Sequence, residues 1–91
     1  MSIRITGGAL RGRTIKTPAD YAADLRPTSS RVRESLFNIL QGRVEGRRVL
    51  DLFAGMGCLG IEALSRGAKE AVFVEKDARH LAILRDNLSS L

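Results

Sequence analysis

The apolar positions change rhythm twice along the 91-residue chain. In "MSIRITGGALRGRTIK", Ile3 and Ile5 alternate with polar neighbours, while Thr14 and Ile15 bring β-branched character. That pattern predicts two short strands, about 2–6 and 12–16, around a glycine-rich turn. Residues 17–27 keep no period and predict a loop, with Pro27 disfavouring helix at Arg26. The spacing then becomes helical. Thr28, Ser29 or Ser30 can cap a helix reaching about Leu40, whose apolar residues Val32, Leu36, Ile39 and Leu40 fall on one face. Arg31, Arg33 and Asn38 then lie on other faces, open to solvent or a partner.

After Gly42 and Gly46 the rhythm changes again. "RRVLDLFA" has a continuous apolar core interrupted only by Asp51, as expected of a central parallel strand covered on both faces. A glycine loop follows, then a short helix over about 58–66 that Gly67 can end. "EAVFVE", 70–75, predicts a second buried strand. Asp77 suits the N-cap of a further helix, along which Ala78, Leu81, Leu84, Leu88 and Leu91 form an apolar stripe. The order β-α-β-α opens a doubly wound α/β sheet. Two strands do not complete such a sheet. The expectation is therefore the N-terminal part of a larger α/β protein, or a chain whose sheet is completed by a partner chain or by oligomerisation.

Composition narrows the class. Apolar residues make up 44 % and charged residues 27 %, as in soluble globular proteins. No apolar run reaches the roughly 18 residues of a membrane span, and the N-terminus lacks a secretory h-region. The lone Cys58 excludes an internal disulfide framework and fits a reducing cytoplasm, and no Cys/His cluster has metal-ligand spacing. The net charge of +5 is uneven: residues 1–48 hold ten basic against four acidic residues, whereas residues 49–91 hold five against six. Nine of the ten N-terminal cations are arginine, which suits bidentate phosphate contact, so nucleic acid is the first candidate partner. A plainly solvated basic surface gives the same composition.

The chemistry concentrates in "DLFAGMGCLG", Asp51 to Gly60. Gly55, Gly57 and Gly60 complete a G-x-G-x-x-G between a predicted strand and a predicted helix, where backbone amides can approach a nucleotide. Glu75, 20 residues beyond Gly55, stands where a carboxylate accepts hydrogen bonds from ribose hydroxyls, in dinucleotide and adenosyl cofactors alike. Asp51 helps to separate the two. A carboxylate at the loop's root repels a doubly anionic pyrophosphate but favours the sulfonium and ammonium of S-adenosylmethionine. A structural Asp51 bound to loop amides is the other reading. Cys58 and His80 carry less: no base stands beside the cysteine in sequence, and His80 reads as a solvated helix residue. Arg31 and Arg33 can meet phosphate, or pair with Glu34 or Asp24, or stay exposed.

"LRPTSSRVRESLFNIL", "VLDLFAGMGCLGIEALSRGA" and "VFVEKD" together closely resemble the RsmD-type methyltransferases of bacteria, over essentially the whole chain. The resemblance implies the N-terminal part of a Rossmann-like, S-adenosylmethionine-dependent methyltransferase fold acting on the exocyclic N2 of a guanine in 16S ribosomal RNA, free or in the small-subunit particle. It implies Asp51, Phe53, Gly55 and Gly57 at the cofactor loop, Glu75 on the ribose, and Arg26 and Thr28, with Pro27, over the methionine end. It also implies an RNA-contacting unit over residues 1–27, with Arg11, Arg13 and Lys16 at the hairpin, and a cofactor domain from residue 28; Arg4, Arg31 and Arg33 join the candidate RNA contacts by their charge. Met56 and Cys58 replace the small residues frequent in relatives. The family's catalytic tetrapeptide, Asp or Asn before Pro-Pro and an aromatic, is absent, since the only prolines are Pro18 and Pro27. The chain alone is therefore expected to be inactive. A nicotinamide-dependent oxidoreductase segment and a non-enzymatic RNA-binding module remain the competing readings.

Overall fold

The computed structural model describes residues 2–17, 29–52 and 54–91. Strands β1 (Ser2–Arg4) and β2 (Thr14–Lys16) pair antiparallel, with Ile3 opposite Ile15 and Arg4 opposite Thr14. Period-2 alternation sends Ile3 and Ile15 inward and leaves Arg4, Thr14 and Lys16 exposed. Ile5 continues inward beyond the strand, its amide bonded to the Arg13 carbonyl at 2.9 Å.

Helix α1 (Ser30–Ile39) starts at Ser29, whose hydroxyl accepts from the Val32 amide at 3.2 Å. The cap falls within the expected set, but the helix turns a different face inward. Arg33 and Phe37 are buried, whereas Val32, Leu36 and Ile39 are exposed, Ile39 to 78 %. Apolar spacing located the helix without locating its neighbours. A buried carboxylate on the next helix draws Arg33 inward, and Phe37 follows one turn later.

Strands β3 (Arg48–Asp51) and β4 (Glu70–Phe73) run parallel, in register from Arg48 with Glu70 to Asp51 with Phe73. Pairing extends past the regular strands: the Val74 amide donates to the Asp51 carbonyl and the Ala54 amide to the Val74 carbonyl, at 2.8 and 3.0 Å. Between the strands lies α2 (Cys58–Ser65), which ends as its sequence predicts. The Gly67 amide reaches the Leu64 carbonyl and the Ala68 amide the Ala63 carbonyl, the paired bonds of a Schellman motif. Only one face of this two-stranded sheet is covered among the described residues. Leu50, Leu52, Val72 and Val74 stay exposed on the other, against the expectation of strands buried on both faces.

Helix α3 (Ala78–Ser90) begins at Asp77, whose carboxylate accepts from the Arg79 and His80 amides. Leu84 is its one buried apolar residue, with Leu81 and Leu91 partly buried against the same cluster, while Leu88 is exposed and Asn87 is buried instead. The hairpin shares this core directly: Ile3, Ile5 and Ile15 pack with Ala54, Cys58, Ile61 and Leu84. A second cluster gathers Phe37, Val44 and Ala63. The hairpin thus sits against the glycine loop rather than apart from it. Among the described residues no helix is long and apolar enough to cross a membrane.

Candidate functional site

The loop from Asp51 to Cys58 leaves the C-terminal end of β3 and enters α2. Gly57, the N-cap of α2, has no side chain to offer the free amides of the first turn. Asp51 fills that role from the strand: its Oδ2 accepts from the Gly60 amide, the third of the helix, at 3.2 Å, with the side chain buried. A carboxylate against a helix N-terminus is held by the amides and by the helix dipole together.

Glu75, just past β4, performs the matching task at the start of the loop. Its Oε1 accepts from the Gly55 amide at 2.8 Å and its Oε2 from the Asp77 amide at 2.9 Å. The amides of His80 and Arg79 hold the Asp77 carboxyl below its ordinary value. His80 lies closer to this group than its sequence suggests: its Nδ1 is 3.9 Å from both Glu75 and Asp77, and its side chain is only 14 % exposed. The chain thus brings Asp51 and Glu75 to the ends of neighbouring strands, Asp51 bound to an amide of the first helical turn and Glu75 to a loop amide. A carboxylate oxygen has two acceptor sites, so Glu75 keeps capacity for a further donor on each oxygen.

Two glycines of the motif have steric duties. Gly57 has φ of +94°, and a Cβ there would meet Leu84 Cδ1 at 2.3 Å. At Gly60 a Cβ would meet the Phe73 ring at 2.2 Å, so this glycine lets α2 lie close on β4. Met56 and Cys58, on either side of Gly57, are buried. Burial pushes the Cys58 thiol above its ordinary value, with the charge of Arg33 opposing, so it behaves as a packed apolar group.

The basic residues divide. Arg4 and Lys16 share the outward face of the hairpin, and Arg11 and Arg31 are exposed. Arg13 is exposed too, but its Nη2 donates to the Ser90 carbonyl at 2.8 Å, tying the hairpin to the end of α3. Arg33 departs from the sequence expectation. It is fully buried, its Nε donating to Glu62 Oε1 at 2.9 Å and its Nη2 to the Arg4 carbonyl, so it cannot meet RNA. Arg26, Thr28 and Phe53 lie outside the described residues.

Two residues that organise the site escaped the sequence reading. Glu62, fully buried, accepts from the amides of Thr6 and Gly7 and from Nε of Arg33 and Arg66, all within 3.0 Å. Burial alone would raise its carboxyl, but the Thr6 amide, Arg66 and Arg33 hold it below its ordinary value. Asn87, also buried, pairs with the Lys16 backbone and donates to the Met56 carbonyl. The only signal for Glu62 was a charge inside the small-residue run "LGIEALS"; Asn87 interrupts a leucine stripe and looks like its solvent side.

Comparison with known proteins places this geometry. Residues 3–91 match the family model described as conserved hypothetical protein 95. The chain is 48 % identical over 89 residues to the ribosomal RNA small subunit methyltransferase D of Escherichia coli strain K12, covering 98 % of this chain and 44 % of that protein. It is 46 % identical over 89 residues to the enzyme of the same name from Haemophilus influenzae, covering 98 % and 45 %. Among solved structures, Escherichia coli yhhF, provisionally named a methyltransferase, superposes with a TM-score of 0.86 at 42 % identity, over 99 % of this chain and 47 % of that one. A hypothetical protein of Thermus thermophilus gives 0.79 at 40 % identity, over 96 % and 48 %. The chain spans about half the length of the relatives it matches. Its α/β arrangement is that of the corresponding half of these Rossmann-like structures, and the chain belongs to the conserved hypothetical protein 95, or RsmD, family.

Proposed function

We propose that the glycine loop holds S-adenosylmethionine, and that the protein to which this chain belongs methylates the exocyclic N2 of a guanine in 16S ribosomal RNA, free or in the small-subunit particle. The observation that carries the cofactor reading is the use of the loop amides. At a dinucleotide site these amides and the helix N-terminus face phosphate. Here Asp51 occupies the Gly60 amide and Glu75 the Gly55 amide, so a pyrophosphate would enter against two carboxylates. A sulfonium cofactor carries positive charge, and when bound it would supply an electrophilic methyl group. Glu75, with acceptor capacity left on both oxygens, receives the ribose hydroxyls, and Asp51 and the backbone of Gly55 and Gly57 shape the floor. The family resemblance adds Phe53 at the loop and Arg26 and Thr28 over the methionine end as proposed cofactor contacts, all three outside the described residues.

On the substrate side, Arg4, Arg11, Arg13 and Lys16 contact the RNA backbone, and the exposed Arg31 is a further candidate. The names of the relatives support a ribosomal RNA substrate. An exocyclic amine has its lone pair delocalised into the ring, so transfer requires an acceptor and a stacking aromatic to orient it. This chain carries no Pro-Pro-aromatic segment for that purpose, and the proposed division of labour leaves amine orientation to residues outside it.

Calorimetric titration with S-adenosylhomocysteine tests the assignment. Glu75→Gln should weaken binding about tenfold, since loss of charge-assisted hydrogen bonds is worth ~1.4 kcal/mol or more. Unchanged affinity in that variant removes Glu75 from the site.

A further inference from the structure

We propose that Asn87 is a positioning residue that joins the hairpin to the glycine loop, so that RNA on the one and an adenosyl cofactor on the other strengthen each other's binding. The inference rests on the cofactor and RNA reading above and names a coupling within it.

Asn87 is 1 % exposed. Its Oδ1 accepts from the Lys16 amide at 2.9 Å, and its Nδ2 donates to the Lys16 carbonyl at 3.1 Å and the Met56 carbonyl at 3.3 Å. One side-chain amide therefore pairs with the backbone of β2 as a neighbouring strand would, and holds a loop carbonyl as well. Met56 stands between Gly55, whose amide is held by Glu75, and Gly57, whose Cα lies against Leu84. The direction of the Met56 carbonyl thus helps to set the path of the loop. Lys16 has its side chain exposed on the outward face of the hairpin, the face that also carries Arg4. The helix that carries Asn87 makes the remaining contacts: Leu84 packs against both hairpin and loop, and the Ser90 carbonyl accepts from Arg13.

A ligand that stiffens either the hairpin or the loop also stiffens this shared amide, which is bonded to both. The second ligand then meets a partner already fixed and loses less conformational entropy, so coupling is positive and, by linkage, equal in both directions.

Titrate the chain with S-adenosylhomocysteine alone and with a saturating short RNA stem-loop, then reverse the order. Each ligand should tighten the other by the same factor, about fivefold or more. Asn87→Asp keeps the acceptor for the Lys16 amide but sets an oxygen against the two carbonyls. The factor should fall to about one while both ligands still bind, and Asn87→Ser, which adds no charge, should lose it likewise. Phe37→Leu, which weakens the separate second cluster, should keep it. A factor of one in the unaltered chain with both ligands bound overturns the proposal without recourse to any variant, as does an Asn87→Asp protein that retains the factor. No binding of S-adenosylhomocysteine under either condition removes the cofactor reading itself, and the coupling with it.

Discussion

Glu62 shows most sharply what single residues do in this molecule. Four donors from three parts of the chain converge on a carboxylate with no solvent contact, and one of them, Arg33, is equally buried. Breaking such a pair leaves a charge stranded in the interior. Glu62→Gln should cost about 3–5 kcal/mol, read as a shift in the urea midpoint, and Glu62→Asp should retain part of that loss because charge survives. The same group sets a pH dependence. Its folded carboxyl lies below the ordinary 4.5, so its stabilisation is complete above that pH and fades as the pH falls through the folded value. Wild type should therefore lose stability progressively below about pH 4.5, and Glu62→Gln should flatten that limb of the curve. Gly57→Ala, combining a positive φ with a clash on Leu84, should lose stability by at least ~1–2 kcal/mol in the same assay. The glycine was legible in the sequence because its spacing implies a turn. Glu62 was not, because periodicity counts apolar residues and a satisfied buried ion violates that count. Arg33 was placed on a free face for the same reason.

At the scale of elements, beginnings and ends were easier to read than faces. Ser29, Asp77 and Gly67 are local signals, and each stands where the helix boundary falls. Ser29→Ala should cost about 1 kcal/mol, measured by thermal or urea unfolding, for the one amide it caps. The inward face of α1 depended instead on Glu62, 29 residues beyond Arg33. The apolar spacing of Val32, Leu36 and Ile39 describes a second face, exposed among the described residues. The sheet teaches the same lesson. Continuous apolar strands promised cover on both sides, and the described chain covers one, leaving Leu50, Leu52, Val72 and Val74 open. The relatives, about twice as long, share this arrangement over nearly the whole of the chain.

Across the whole molecule, the basic hairpin and the glycine loop form one packed body. Ile3, Ile5 and Ile15 join them in a common core, a contact between segments about 50 residues apart that no local pattern announces. The hairpin's outward cations should give RNA binding a steep dependence on salt. Replacing Arg11 and Lys16 by alanine should lower the log–log slope by about one unit each and weaken binding across sequences alike. An unchanged slope would remove those residues from the RNA surface.

The central claim is that a glycine loop whose amides are already bound by Asp51 and Glu75 takes a cationic adenosyl cofactor and rejects a pyrophosphate. Its most direct test is calorimetric titration of the unaltered chain, in parallel, with S-adenosylmethionine, which carries the sulfonium, and with NAD. Saturable heat from S-adenosylmethionine and none from NAD is the predicted result. Binding of NAD without binding of S-adenosylmethionine would contradict it.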